Sequence, residues 1–125
     1  MCIRDRFDNI LPEFASAIGN RGVADRARGA AFLGMDAVLI SGPAAGIPFA
    51  MSDLRTAKEA IPSTPVIANT GVRAERIEET FAVADGAIVG TSLKVDGVTW
   101  NPVDRDRAIR LMDAARTVRS RAGSA

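Results

Sequence analysis

Histidine and tyrosine are absent from the 125-residue sequence, and cysteine and tryptophan occur once each. Without histidine the chain lacks the commonest general base and the commonest metal ligand, and no Ser-His or Cys-His nucleophile pair can form. Chemistry must rest on carboxylates, lysines, arginines, hydroxyls and backbone amides. No metal or cofactor is expected. A dominant charge sign is missing too: 16 basic side chains face 15 acidic ones, so the footprint that nucleic acid demands is not there. No apolar run approaches the ~20 residues of a membrane-spanning helix, and no charged-then-apolar leader opens the chain. These absences predict a soluble cytoplasmic protein, one domain or less by length.

Residues 1–6, Met-Cys-Ile-Arg-Asp-Arg, read as the translation of a sequencing-library adapter and are set apart as non-native. Without them the chain is neutral and free of cysteine, so a redox role disappears. N-terminal material is then expected upstream. The alternative is a genuine terminus with a reactive Cys2.

Four short runs rich in β-branched or aliphatic residues, at 9–14, 37–41, 65–69 and 87–90, alternate with helical patterns, as βα units on a parallel sheet do. They carry apolar residues on both faces rather than alternating, which suits a sheet covered on both faces. Helical stripes run through Val23, Ala27, Ala30, Ala31 and Gly34, through Leu54, Ala57 and Ile61, and through Ile77, Phe81 and Ala84. Ser52 and Asp104 stand at expected helix N-caps, and the last helix carries Ala108, Leu111, Met112, Ala115 and Val118 on one stripe. The four units occupy 7–119, and 120–125 is predicted to fray.

Met35 to Gly42 aligns without gaps on Ala84 to Thr91, an Asp preceding the strand and a small or hydroxyl residue following it in both. Barrels of the (β/α)₈ type keep stability residues where strands start and chemistry where they end. Asp36 and Asp85 are therefore read as structural. Four strands cannot close such a barrel, so the α/β chain is a partial TIM barrel, about half of one. An open four-stranded sheet with its ligand at a strand-order reversal is the competing architecture.

Candidate chemistry gathers after each run: Glu13 with Ser16 and Asn20, Ser41-Gly42 through Gly46, Asn69-Thr70-Gly71-Val72, and Gly90-Thr91-Ser92-Leu93-Lys94. Glycines and hydroxyls on successive strand ends let amides approach an anion, and the loops after a barrel's last two strands frequently hold phosphate. Ser41, Gly42, Gly71, Gly90, Thr91 and Ser92 are the candidate phosphate ligands, although glycine and threonine also simply make tight turns. Lys94 neutralises a phosphate, forms a Schiff base, or is a solvated loop lysine. Asp96 pairs with it, acts as a base, or makes a turn with Gly97. Glu13, closing an apolar run after Pro12, is with Lys94 the candidate catalytic pair; an ion pair of Glu13 with Arg21 or another arginine is its structural alternative. Trp100 packs ahead of the last helix or covers a pocket mouth. The arginines of that helix, Arg107 among them, read as a solvated, mixed-charge surface.

The segments Asp36 to Gly42, Thr64 to Val72 and Ala84 to Gly97, with Trp100-Asn101-Pro102-Val103-Asp104 behind them, resemble the C-terminal half of the BtpA/SgcQ family. The resemblance covers nearly everything after Arg6. It implies a TIM barrel of the ribulose-phosphate-binding type, with this chain holding strands five to eight. It further implies a phosphorylated small-molecule ligand and leaves any reaction open. An enzyme on that phosphorylated molecule is the first expectation; because the family is named for a factor in photosystem I accumulation, a non-catalytic assembly factor, peripheral to a membrane, is the alternative it implies. A homo-oligomer of the full-length protein is a further expectation. Ser41, Gly42, Gly46, Gly71, Gly90, Ser92, Lys94 and Asp96 match the family pattern; Ala45, Asn69-Thr70 and Arg73 depart from it. Arg73 would add a second cation near the phosphate.

Overall fold

The computed structural model describes residues 5–123. Strands β1 (Phe7–Leu11), β2 (Ala37–Ile40), β3 (Val66–Asn69) and β4 (Gly86–Ile88) alternate with helices α1 (Val23–Phe32), α2 (Met51–Ala60) and α3 (Ile77–Phe81), and α4 (Arg105–Ala122) closes the chain. Every neighbouring strand pair is parallel and the order is β1-β2-β3-β4. That order contains no reversal, so the switch-point architecture is excluded. Sequential parallel strands with intervening helices make an α/β, partial TIM-barrel-like fold.

Strand limits follow local chemistry. β1 begins at Phe7 and stops at Leu11, not at Phe14, because Pro12 has no N–H to donate and Phe14 turns to a φ of 56°, giving its N–H to the Pro43 carbonyl at 2.9 Å. β4 likewise begins at Gly86 and ends at Ile88.

Register assigns the faces. Val38 pairs with Val66 and Ile40 with Ala68, and all four are buried with Ile10 against the helices. The opposite face carries Phe7 and Asn9 opposite Ala37 and Leu39, then Ile67, Asn69 and Ile88. Phe7 and Ile88, on the two edge strands, are 57% and 45% exposed. The helix layer is built from short side chains, Ala27, Ala30, Ala57 and Ala115, with Leu54, Ile61, Ile77, Ala84 and Leu111 filling between them. Met112 is exposed, and Ala114 packs partly against the core beside Leu111 and Ala115.

Asp104 caps α4, its Oδ1 accepting the N–H groups of Asp106 at 2.9 Å and Arg107 at 3.1 Å. For α2 the N-cap is Ala50, so Ser52 falls within the first turn rather than capping it. At the strand starts, Asp36 Oδ2 accepts the Arg6 N–H at 2.7 Å, and Asp85 Oδ2 accepts the Val66 N–H at 2.7 Å. Arg6, within the segment set apart as non-native, is thus tied to the sheet, whereas residues 1–4, with Cys2, lie outside the described residues. α4 runs to Ala122, past the boundary at Arg119, and residues 124–125 lie outside the described residues.

Candidate functional site

Two glycines shape the strand-end loops by permitting backbone contact. Gly71, at a φ of 61°, lies against Pro48, and a Cβ there would collide with the Pro48 nitrogen and Cα. A Cβ on Gly42 would meet the Ile47 carbonyl oxygen, so the Ile47-Pro48 backbone passes between the two glycines. Thr70 completes the clasp: its Oγ1 accepts the Gly42 N–H at 2.6 Å and donates to the Ile47 carbonyl at 3.0 Å. The Gly42 amide is thereby engaged within the chain. Gly90 is different, for a Cβ there would meet nothing within 4 Å.

Gly71 and the Thr91-Ser92 segment that follows Gly90 border a cleft of about 350 Å³, lined also by Gly46, Arg73, Glu75, Asp96 and Arg107, whereas Gly90 itself does not line it. Ser92 Oγ donates to the Val72 carbonyl at 2.6 Å, which locks one loop to the other. Among the described residues, the amides of Gly71, Gly90 and Thr91 make none of the chain's turn, loop or cap hydrogen bonds. Arg107 reaches the site from the first turn of α4. Its Nη1 donates to the Ser92 carbonyl at 3.4 Å and its Nε lies 3.9 Å from Asp104 Oδ2. The Arg107 N–H in the cap, against a smaller opposing push from burial, together with the Asp106 N–H and the Arg107 and Arg110 charges, holds the Asp104 carboxyl below the ordinary aspartate value. Among the described residues Arg73 makes no ion pair.

A second compartment of about 170 Å³ adjoins the cleft, bounded by Glu13, Asn69, Thr70, Ile88 and Gly90 and sharing Gly46, Gly71, Thr91 and Ser92 with it. Glu13 is held there by carboxamides, not by an arginine: Asn9 Nδ2 donates to Oε2 at 3.0 Å and Asn69 Nδ2 to Oε1 at 3.4 Å. Buried Ser41 sits beneath, its Oγ accepting from Asn9 at 2.8 Å and Asn69 at 2.9 Å.

Glu13, Gly71, Gly90, Thr91 and Ser92 thus converge, while Ser41 and Gly42 border a different depression beside Arg21 and Arg26. Lys94 lines neither cavity of the site; it follows the 3₁₀ turn Thr91–Leu93 and bridges Val103. Asp96, at a φ of 56°, takes the turn role with Gly97 and also borders the cleft. Trp100, 93% exposed, does not pack ahead of α4 and lines neither cavity of the site. Arg107 and Asn9 are the residues that sequence reasoning passes over. A carboxamide leading directly into the apolar Ile10-Leu11 pair was the available signal for Asn9, whereas Arg107 is indistinguishable from its solvated neighbours until α4 is docked.

Residues 4–117 match the model of the BtpA family. The chain belongs to the BtpA family. The sgc region protein SgcQ of Escherichia coli is 39% identical over 112 residues, covering 89% of this chain and 42% of SgcQ. An uncharacterized protein of Thermococcus kodakarensis, TK2179, is 42% identical over 67% of this chain and 32% of its own length. The photosystem I biogenesis protein BtpA of Synechocystis is 33% identical over 63% of this chain and 28% of its own length. This BtpA-family chain therefore spans less than half the length of these relatives. No solved structure matches it. Among the described residues no helix is long and apolar enough to cross a membrane, and no group of His, Cys, Asp and Glu could hold a metal ion.

Proposed function

We propose that this chain is the phosphate-binding half of a BtpA-family barrel of the ribulose-phosphate-binding type, contributing strands five to eight. The phosphate of a small molecule lies between the Gly71 and Gly90 loops. The observation that carries this reading is the cleft itself. Two glycine-bearing loops from successive strands border one space, their amides make no loop hydrogen bonds among the described residues, and Arg73 and Arg107 are among the residues that line it. Arg73 and Arg107 supply the countercharge, a role that guanidinium geometry suits. Lys94 has no part at this position. Glu13 is the one carboxylate in the adjoining compartment, placed to exchange a proton if the whole protein catalyses a reaction on the phosphorylated molecule.

Calorimetric titration of the chain with inorganic phosphate tests the reading. Saturable binding that weakens at least about tenfold in Arg73→Ala and Arg107→Ala, as loss of a charge-assisted contact requires, supports it. Binding that ignores both substitutions, or no binding, contradicts it.

A second reading draws on the name of the Synechocystis relative: an assembly factor that uses the cleft as a binding scaffold without turnover. Phosphate-ligand binding by the full-length protein without chemical change in the ligand would favour it.

A further inference from the structure

The geometry points to a ligand that is a phosphorylated polyol, with phosphate in the arginine-lined cleft and hydroxyls donating to Glu13 and Asn69 in the adjoining compartment. The inference rests on the phosphate reading and adds the chemistry of the ligand's other end.

Hydrogen-bond accounting in the small compartment fixes that chemistry. An ionised carboxylate only accepts, so Asn9 and Asn69 must turn their NH₂ groups toward Glu13. Both carboxamides direct Nδ2 to Glu13 and to Ser41 Oγ, and Ser41 Oγ donates onward to Asn9 Oδ1 at 3.1 Å. Each NH₂ group has two protons and Ser41 has one, so every donor in the cluster is already engaged. Acceptors remain. Each Glu13 oxygen accepts one hydrogen bond from within the cluster and has a further lone-pair direction. Among the described residues the Asn69 carbonyl oxygen has no donor. Beside the loop amides of Gly71, Gly90 and Thr91 the cluster therefore contributes acceptors, which take a group that donates, and two carboxylate oxygens side by side suit two neighbouring hydroxyls.

The neighbouring cleft adds two cationic residues, Arg73 and Arg107, to the loop amides and so suits an acceptor. Only Gly46, Gly71, Thr91 and Ser92 are common to both spaces, and two of these have no side chain to separate them. One molecule can bridge the boundary. Ile88 and Val72 border the small compartment and give the carbon skeleton an apolar wall.

Affinities of the chain for methyl phosphate, ribose 5-phosphate and phosphoethanolamine test this. Two hydrogen bonds to a charged acceptor predict ribose 5-phosphate binding roughly tenfold to a hundredfold tighter than methyl phosphate. Glu13→Gln should remove most of that advantage, with a far-ultraviolet circular dichroism spectrum matching the parent's showing that the variant is folded. The ratio in the unsubstituted chain stands whether or not the variant folds. The inference is overturned if methyl phosphate binds in an Arg107-dependent way but ribose 5-phosphate binds no tighter. It is equally overturned if only phosphoethanolamine shows the Glu13-dependent gain. If none of the three esters binds, the phosphate reading itself fails and this inference falls with it.

Discussion

Asp85 and Val66 are joined twice at the start of adjacent strands: the Asp85 carboxylate accepts the Val66 N–H at 2.7 Å, and the Asp85 N–H returns to the Val66 carbonyl at 2.9 Å. Asp36 makes the same reciprocal pair with Arg6, at 2.7 and 2.8 Å. The sequence repeat around the two aspartates is thus a repeated device that fixes register at the end of the sheet remote from the site. Lys58 Nζ adds 2.8 Å and 3.0 Å contacts to the Asp85 oxygens.

Acid unfolding should report the Asp85 clamp. Partial burial pushes its carboxyl up, but the Lys58 hydrogen bond, the Val66 N–H and the Lys58 charge outweigh it, so the group is held below the ordinary aspartate value. A carboxyl depressed in the folded state stabilises above its unfolded pKa of ~3.9, and that stability is lost as pH falls toward the folded value. Because the side chain is 40% exposed, screening limits the effect. Asp85→Asn is expected to cost about 1 kcal/mol at neutral pH and to flatten the acid limb of a denaturation series near pH 4.

Gly71→Ala and Gly90→Ala should separate stability from binding. At Gly71 the new methyl meets Pro48 backbone at a positive φ, so a loss of about 2 kcal/mol or more is expected in urea melts. At Gly90, which borders the small compartment, the methyl meets no atom within 4 Å beyond its chain neighbours. That variant should melt close to the parent and bind ribose 5-phosphate more weakly.

Thr70→Val removes the hydroxyl that joins Gly42 to Ile47 and leaves the Gly42 N–H without its acceptor. An unsatisfied donor of this kind costs about 1–3 kcal/mol, measurable as a lower urea midpoint.

Phe7 and Ile88 lie exposed on the two edge strands, each with an outer ladder that pairs with no strand among the described residues. Such edges recruit further strands. Light scattering on the 125-residue chain should show self-association with a broad melt, reduced by Phe7→Lys; a monodisperse monomer with a sharp cooperative melt would contradict this.

The legible parts of the fold are those with one dominant local cause. β2 reads as a strand because its four residues are buried on both faces, and the Ala27, Leu54 and Leu111 stripes read as helices because period sets burial there. The Gly71 and Gly90 loops were legible as a pair because glycine density at strand ends is itself a sequence signal. Lys94 misleads because adjacency in sequence suggests adjacency in space, yet the turn after Thr91 carries it onto a bridge with Val103. Arg107 is invisible for the converse reason. Its place depends on the Asp104 cap and on docking of α4 beside Ser92, neither of which leaves a pattern in the arginines themselves. Asn9 needs the register with β2 before its partnership with Ser41 exists.

Amide chemical shifts of the ¹⁵N-labelled chain during titration with inorganic phosphate test the anion cleft most directly. The account predicts saturable shifts concentrated at Gly71, Val72, Gly90, Thr91 and Ser92, abolished in Arg73→Ala/Arg107→Ala. Shifts centred instead on the Arg21 and Arg26 side of the sheet, or no saturable shifts at all, would contradict it.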